Sequence, residues 1–167
     1  MKIKELTLLT TDLLSTENFY TDVLNFKIQD KQSNKITFIV GETLLTFILC
    51  EKIVKPIYHF AFLVPTHKIE DTKIWISNKI KILEAGNKDN IVTFENWKAQ
   101  SFYFYDNNKN LLECIAREDF SDEHFKPSTA PYVMNINEVG IATDLTLSLS
   151  EILFQKTKIN YFAKGPV

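Results

Sequence analysis

Residues 43–51 read TLLTFILCE, and residues 110–118 read NLLECIARE. Both segments carry two leucines followed by one variable position, which is Thr46 in the first and Glu113 in the second. A β-rich run that ends in a turn precedes each of them, at 35–42 and at 102–110. Self-similarity at a fixed offset indicates that the chain uses one structural unit twice.

The segments that open the units also correspond. Residues 2–9 read KIKELTLL, residues 56–63 read PIYHFAFL, and a third opening at 135–142 reads NINEVGIA. Glu5, His59 and Glu138 hold the same place in these openings. Apolar residues with helical spacing follow each opening, so the predicted order is βαβββ, βαβββ and a partial βαβ. We therefore predict a first module over 1–52, a second over 56–118, a polar linker over 119–132 and an incomplete third module over 133–167.

Composition excludes several classes of protein. The 167 residues are 45% hydrophobic, which is enough for one compact domain or two small units that share a core. Nineteen basic against 21 acidic residues give a net charge of −2, which is not typical of a nucleic-acid binder. No apolar run is long enough to cross a bilayer, and we expect no membrane partner. Two cysteines, Cys50 and Cys114, are too few for a disulfide framework and favour a cytoplasmic setting.

Two segments resemble a known superfamily. Residues 19–26, FYTDVLNF, are similar to the FYxxVLGF segment of the vicinal oxygen chelate (VOC) proteins, and residues 103–113, YFYDNNKNLLE, are similar to their YFxDPDGNxLE segment. That superfamily includes glyoxalase I, extradiol dioxygenases, fosfomycin-resistance transferases and bleomycin-resistance proteins. The resemblance covers roughly 1–118, with a weaker echo from 134 onward. Asn25 and Lys109 replace the family's glycines, and Asn107 replaces its proline.

The resemblance implies an α+β fold. Paired βαβββ modules would form a curled, cup-like mixed sheet with helices on its outer face. Strand alternation predicts that His59, Ala61 and Leu63 face the cup, while Phe60 and Phe62 pack under helices.

The resemblance also implies a metal site, whose four corner positions correspond to Glu5, Thr46, His59 and Glu113. One imidazole and two carboxylates suit a divalent cation such as Fe, Mn, Ni or Zn, so we expect Glu5, His59 and Glu113 to be its ligands and Glu113 to be catalytic. Thr46 is a poor ligand and is expected to contact substrate. The expected substrate pocket comprises Thr7, Thr46, Trp97, Tyr103 and Tyr105.

Each of these residues also has an ordinary structural interpretation. Glu5 can be a solvated strand residue, His59 a hydrogen-bonded and half-buried histidine, and Glu113 a partner in a salt bridge. Two functions therefore stay open: a metal-dependent enzyme of the glyoxalase or dioxygenase type, which we favour, and a small-molecule binder without metal. A degenerate, non-catalytic copy is the remaining alternative.

The third module opens but does not finish a unit. Its apolar residues, including Val139, Ile141 and Leu153, cannot be buried by a βα fragment alone. They must dock on the edge of this chain's own sheet or on the same segment of a second subunit. We favour the second arrangement, a homodimer, because symmetric dimers are the commonest oligomers.

Overall fold

A computed structural model of the chain describes residues 3–51, 56–86, 88–120 and 131–159. In these ranges the strands are β1 (Glu5–Thr10), β2 (Lys27–Lys31), β3 (Lys35–Val40), β4 (Thr43–Leu49), β5 (His59–Leu63), β6 (Val92–Phe94), β7 (Ala99–Tyr105), β8 (Leu111–Arg117) and β9 (Asn135–Gly140). The α-helices are α1 (Leu13–Asn18), α2 (Ile69–Ser77) and α3 (Thr146–Thr157), and a π-helical turn at Phe19–Val23 continues α1. No helix in the described ranges has the length and apolarity needed to span a membrane.

The strands form two mixed sheets, with the orders β1-β4-β3-β2 and β6-β7-β8-β5-β9. In each βαβββ unit the first strand runs parallel to the last, β1 beside β4 and β5 beside β8, and the other pairs within the unit are antiparallel. The predicted α+β class with paired βαβββ units is confirmed. The two units keep separate sheets, however, instead of forming one continuous sheet.

The two units share one hydrophobic core. Phe60 and Phe62 of β5 lie in this core, and the Phe62 ring meets Phe26 of the first unit edge-on, with 5.6 Å between ring centroids. The buried Tyr20 hydroxyl crosses between the units and donates to Asp106 Oδ2 at 2.9 Å. The opposite face of β5 presents Ala61 and Leu63, which belong to a second, smaller apolar cluster. The faces predicted from strand alternation are therefore confirmed for β5.

Two turns have the left-handed backbone conformation that glycine adopts readily, although neither contains glycine at that position. Asn25 and Lys109, which stand at the family's glycine positions, have φ values of 56° and 68°. In the second turn Asp106 Oδ1 accepts the backbone N–H groups of Asn108 at 2.7 Å and Asn110 at 2.9 Å. These hydrogen bonds stabilise the turn in the absence of glycine and proline. The left-handed conformation of Lys109 still costs about 1–2 kcal/mol.

The strand of the third unit docks on this chain's own sheet. β9 pairs antiparallel with β5, and its approach is fixed by the Glu42 N–H, which donates to the Met134 carbonyl at 2.9 Å. The expectation that this strand pairs with a second subunit is wrong, because the free edge of β5 already provides the hydrogen-bonding partners. α3 ends at Thr157. The last strand of the partial βαβ unit is predicted weakly at 159–162, but Ile159 lies outside any strand, and 160–162 lie outside the described residues, as does most of the predicted linker.

Candidate functional site

His59, Glu113 and Tyr103 form a connected cluster on one face of the second sheet, the face that also carries Ala61. Tyr103 on β7 is the register partner of Glu113 on β8, and its hydroxyl donates to Glu113 Oε1 at 3.1 Å. His59 opens β5, with Nε2 3.5 Å from Glu113 Oε2 and Nδ1 3.0 Å from the Leu111 carbonyl. Glu113 is only 5% exposed, so these contacts compensate a carboxylate that the sheet would otherwise bury unpaired.

The surroundings of His59 favour its protonated form. Both ring nitrogens face groups that only accept hydrogen bonds, a carbonyl and a carboxylate, so both nitrogens are best satisfied when each carries a proton. The hydrogen bond to Glu113 is the main cause that raises the pKa of His59, and partial burial opposes it. For Tyr103, burial and the adjacent Glu113 charge raise the hydroxyl pKa well above its usual value. The cluster therefore combines an imidazole whose protonated form is favoured with a carboxyl group that accepts hydrogen bonds and a neutral phenol.

Three of the predicted residues, Glu5, Thr7 and Thr46, are on the first sheet, whereas His59, Tyr103 and Glu113 are on the second. Glu5 is exposed on β1 and is aligned with Leu44. Thr46 shares a row with Thr7 and Thr37, and its hydroxyl is 2.8 Å from that of Thr37. The Thr46 hydroxyl is therefore hydrogen-bonded within its own sheet, while Thr7 is exposed.

The predicted aromatic residues divide into three environments. Tyr103 belongs to the cluster with Glu113. Trp97 stacks on Phe94 with 5.4 Å between ring centroids, and both pack against the smaller apolar cluster. Tyr105 is 47% exposed at the end of β7. Of these three aromatic residues, Tyr103 is the one that is hydrogen-bonded to Glu113.

The donor set does not fit the expected three-ligand metal centre. Two ligands bound at about 2 Å to one Zn²⁺ are roughly 3.3 Å apart, so His59 Nε2 and Glu113 Oε2 have the spacing of two such ligands. Glu5, the expected third ligand, is on the other sheet. Among the described residues no group of three or more His, Cys, Asp or Glu side chains is arranged to hold a metal ion. We therefore derive no chemistry through a metal.

A cleft of about 750 Å³ opens beside His59, between the two sheets. Its walls are residues of β1, the start of β5 and the end of β9, namely Leu6, Thr7, Leu8, Ile57, Tyr58, His59, Leu111, Val139, Gly140, Ile141 and Ala142. Most of these side chains are apolar, and its volume is in the range of small-molecule sites. A smaller hollow of about 350 Å³ beside β6 and β7 contains none of the predicted site residues.

Three residues of the site were not predicted as such. Tyr58 joins the units, because its hydroxyl accepts the Leu9 N–H at 3.3 Å. Gly140 lies opposite His59, and a Cβ placed there would be 3.0 Å from His59 Cδ2. Glu138 lies on β9, where burial and then the Glu113 charge raise its pKa, while the charges of Arg117 and His59 lower it. For Glu138 the sequence repeat gave a usable signal, since it aligned this residue with Glu5 and His59.

Comparisons with known proteins agree with this fold. Residues 2–114 match the Glyoxalase/Bleomycin resistance protein/Dioxygenase superfamily. No curated protein shows significant similarity to the chain. A lactoylglutathione lyase from Agrobacterium tumefaciens is 19% identical, with a TM-score of 0.56 over 68% of this chain and 92% of that one.

Two further solved structures are similar. An integron cassette protein from the mobile metagenome of the Halifax Harbour sewage outfall is 24% identical, with a TM-score of 0.59 over 68% of this chain and 97% of that one. A fosfomycin resistance protein from Listeria monocytogenes is 19% identical, with a TM-score of 0.54 over 70% and 93% of the two chains. At these identities the structures show a shared fold. Together with the family match over most of its length, they establish that this chain belongs to the Glyoxalase/Bleomycin resistance protein/Dioxygenase superfamily.

Proposed function

We propose that this protein binds a small, largely apolar organic molecule in the cleft between its two sheets, and that it does so without a resident metal. The observation that carries the proposal is the apolar cleft of about 750 Å³ with His59 in its wall. Small-molecule sites typically combine an apolar lining with a few fixed polar groups. His59 is such a group, because Glu113 and the Leu111 carbonyl fix its ring.

In this proposal Glu113 acts through His59 and does not touch the ligand. Its carboxylate is almost completely buried beside the imidazole, where it raises the pKa of His59 and orients the ring. Its role is thus positioning, which differs from the catalytic role expected from the sequence.

A metal-dependent enzyme is the second candidate, and the spacing of His59 Nε2 and Glu113 Oε2 favours it. A metal would replace the proton between these two atoms. It would need at least one more protein donor, and the described residues do not arrange one.

The partner and the setting belong to the same proposal. We propose a homodimer, supported by α3, whose apolar Leu147 and Ile152 are exposed. A cytoplasmic location is supported by Cys50 and Cys114, which are both free thiols.

The binding proposal is tested with N-phenyl-1-naphthylamine, an uncharged apolar dye whose fluorescence rises on transfer out of water. Thr7→Trp places a large side chain in the cleft and should weaken dye binding at least about tenfold. Thr93→Trp, at an exposed threonine on β6, is the matched control and should bind the dye as the unaltered protein does.

The same titration is repeated after treatment with a chelator. Unchanged binding is the expected result. Loss of dye binding that zinc or iron restores would favour the metal-dependent candidate, and equal binding by Thr7→Trp and Thr93→Trp would contradict the cleft as the site.

A further inference from the structure

A β-bulge in β9 turns Glu138 toward the face of the sheet that carries Glu113. Ile136 is aligned with Phe62 and Glu138 with Ala61, so Asn137 is an extra residue with no counterpart on β5. A one-residue insertion moves every later side chain to the other face of a sheet. Without it Glu138 would be aligned with Phe60, whose side chain lies in the main core.

The bulge places Glu138 in one row with the polar cluster. The row crosses four neighbouring strands and consists of Tyr103, Glu113, Ala61 and Glu138. Ala61 carries only a methyl group, so no large side chain stands between the two carboxyl-bearing strands. Gly140, two residues beyond Glu138, leaves room for the His59 ring against the β9 backbone.

Glu138 has no close ion-pair partner among the described residues, although the charges of Arg117 and His59 act on it. It makes no hydrogen bond or ion pair with any described residue, although it is only partly exposed. His59 is engaged by Glu113, and Arg117 binds both oxygens of Asp119 at 3.0 Å. Burial, followed by the Glu113 charge, raises the pKa of Glu138, and the charges of Arg117 and His59 offset this only in part.

A buried hydroxyl on the same face also lacks a well-formed hydrogen bond. Ser101 is wholly buried two residues before Tyr103, and its Oγ has no partner of good geometry among the described residues. It lies close enough to the Tyr103 hydroxyl to lower the pKa of that group. The face of the second sheet that carries Glu113 thus holds a carboxylate and a hydroxyl with unused acceptor capacity, and the residues that follow Glu138 on β9, Val139 and Gly140, line the apolar cleft.

We propose that Glu138, supplied by the third unit, selects the ligand by binding a basic nitrogen, a protonated amine or amidine, beside the His59–Glu113 pair. This inference rests on the proposed binding function, and it names the ligand class. The apolar body of the ligand occupies the cleft past His59 and Gly140, and its cationic end reaches the carboxylate of Glu138. The third unit is then part of the binding site, although it lies outside residues 2–114 that match the family.

Paired fragments that differ in charge test this inference in the full chain. Benzamidine and benzylamine are the cationic probes, and benzamide and benzyl alcohol are their neutral counterparts. Affinities are measured by NMR titration of the protein and of Glu138→Gln, which removes the charge and preserves the shape. Glu151→Gln, at an exposed glutamate of α3, is the matched control.

The unaltered protein and Glu151→Gln should bind each cation at least about tenfold more tightly than its neutral counterpart, because a charge-assisted hydrogen bond in a partly buried site is strong. Glu138→Gln should lose that preference and still bind the neutral fragments. Equal affinity for cationic and neutral fragments, or a preference that survives in Glu138→Gln, would overturn the role of Glu138 and leave the cleft intact. Absence of binding by all four fragments would overturn this inference, and failure of the apolar dye as well would overturn the proposed function.

Discussion

Among the described residues, two side chains bind the Glu113 carboxylate as donors. One is His59, and the other is the Tyr103 hydroxyl. Tyr103→Phe removes it and leaves a buried carboxylate with one partner fewer. We expect a loss of about 1–3 kcal/mol in the free energy of unfolding, measured with urea. Tyr105→Phe makes the same chemical change on the same strand at an exposed position and should cost less than about 0.5 kcal/mol. Equal losses in the two variants would contradict the Tyr103–Glu113 bond.

His59 makes stability depend on pH. Because its pKa is raised in the folded state, its contribution is complete below the unfolded pKa of about 6.5 and is lost as the pH rises through the folded pKa. The stability of the unaltered protein should therefore fall relative to that of His59→Asn as the pH rises above about 6.5 and through the raised pKa of the folded state. Urea unfolding of both proteins at several pH values measures the difference in stability. A difference that stays constant with pH would show that folding does not raise the pKa of His59.

At the scale of elements, β9 is positioned by the turn between β3 and β4. Gly41 in this turn has φ of 57°, and a Cβ there would be 2.0 Å from the Met134 carbonyl oxygen, just before β9. Gly41→Ala therefore combines left-handed strain of about 1–2 kcal/mol with a clash against backbone that costs about 1–3 kcal/mol more.

Gly86→Ala is the matched control for this prediction. Gly86 also has a positive φ, of 77°, but nothing lies within 4 Å of the added Cβ. Only the backbone strain of about 1–2 kcal/mol is expected there. Thermal unfolding measures both variants, and amide exchange of β9 should rise in Gly41→Ala alone. If the two variants lose the same stability, β9 does not dock on this turn.

At the scale of the whole molecule, the shared core should make the two units unfold together. Tyr20→Phe removes the buried bond from the first unit to Asp106 of the second and should cost about 1–3 kcal/mol. Because the units form one cooperative structure, amide exchange in β3 and in β8 should accelerate by the same factor. Faster exchange in one sheet only would indicate that the units are stable independently.

The proposed homodimer depends on the exposed face of α3. Leu147 is 73% exposed and Ile152 is 50% exposed, and apolar residues that are not covered within one chain favour association. Sedimentation should give a dimer for the unaltered protein and a monomer for the double variant Leu147→Lys and Ile152→Lys. Ile74→Lys, at a 56% exposed position on α2, should remain a dimer. A monomeric unaltered protein would refute the assembly.

The turns show how far the family resemblance extends at single residues. Asn25 and Lys109 replace glycine, yet both keep the left-handed backbone of the turns they occupy. Asn adopts this conformation at little cost, and at Lys109 the Asp106 hydrogen bonds impose it. The turn geometry therefore persists although its glycines are lost.

The sequence alone determined the repeat and the strand faces, because alternation along a strand and similarity between repeats are local properties of the chain. It was the family resemblance that brought His59 and Glu113 together, as expected metal ligands. The sequence could not determine which strand lies against β5. Glu5 and Glu138 occupy equivalent places in their repeats, so the repeat itself offers both as neighbours of His59. Only the tertiary structure decided in favour of Glu138. β9 takes the free edge of β5, and the bulge at Asn137 turns the Glu138 carboxylate to the face that carries Glu113. Contacts between strands far apart in the chain depend on which edges the shared core leaves open, and no local pattern encodes that choice.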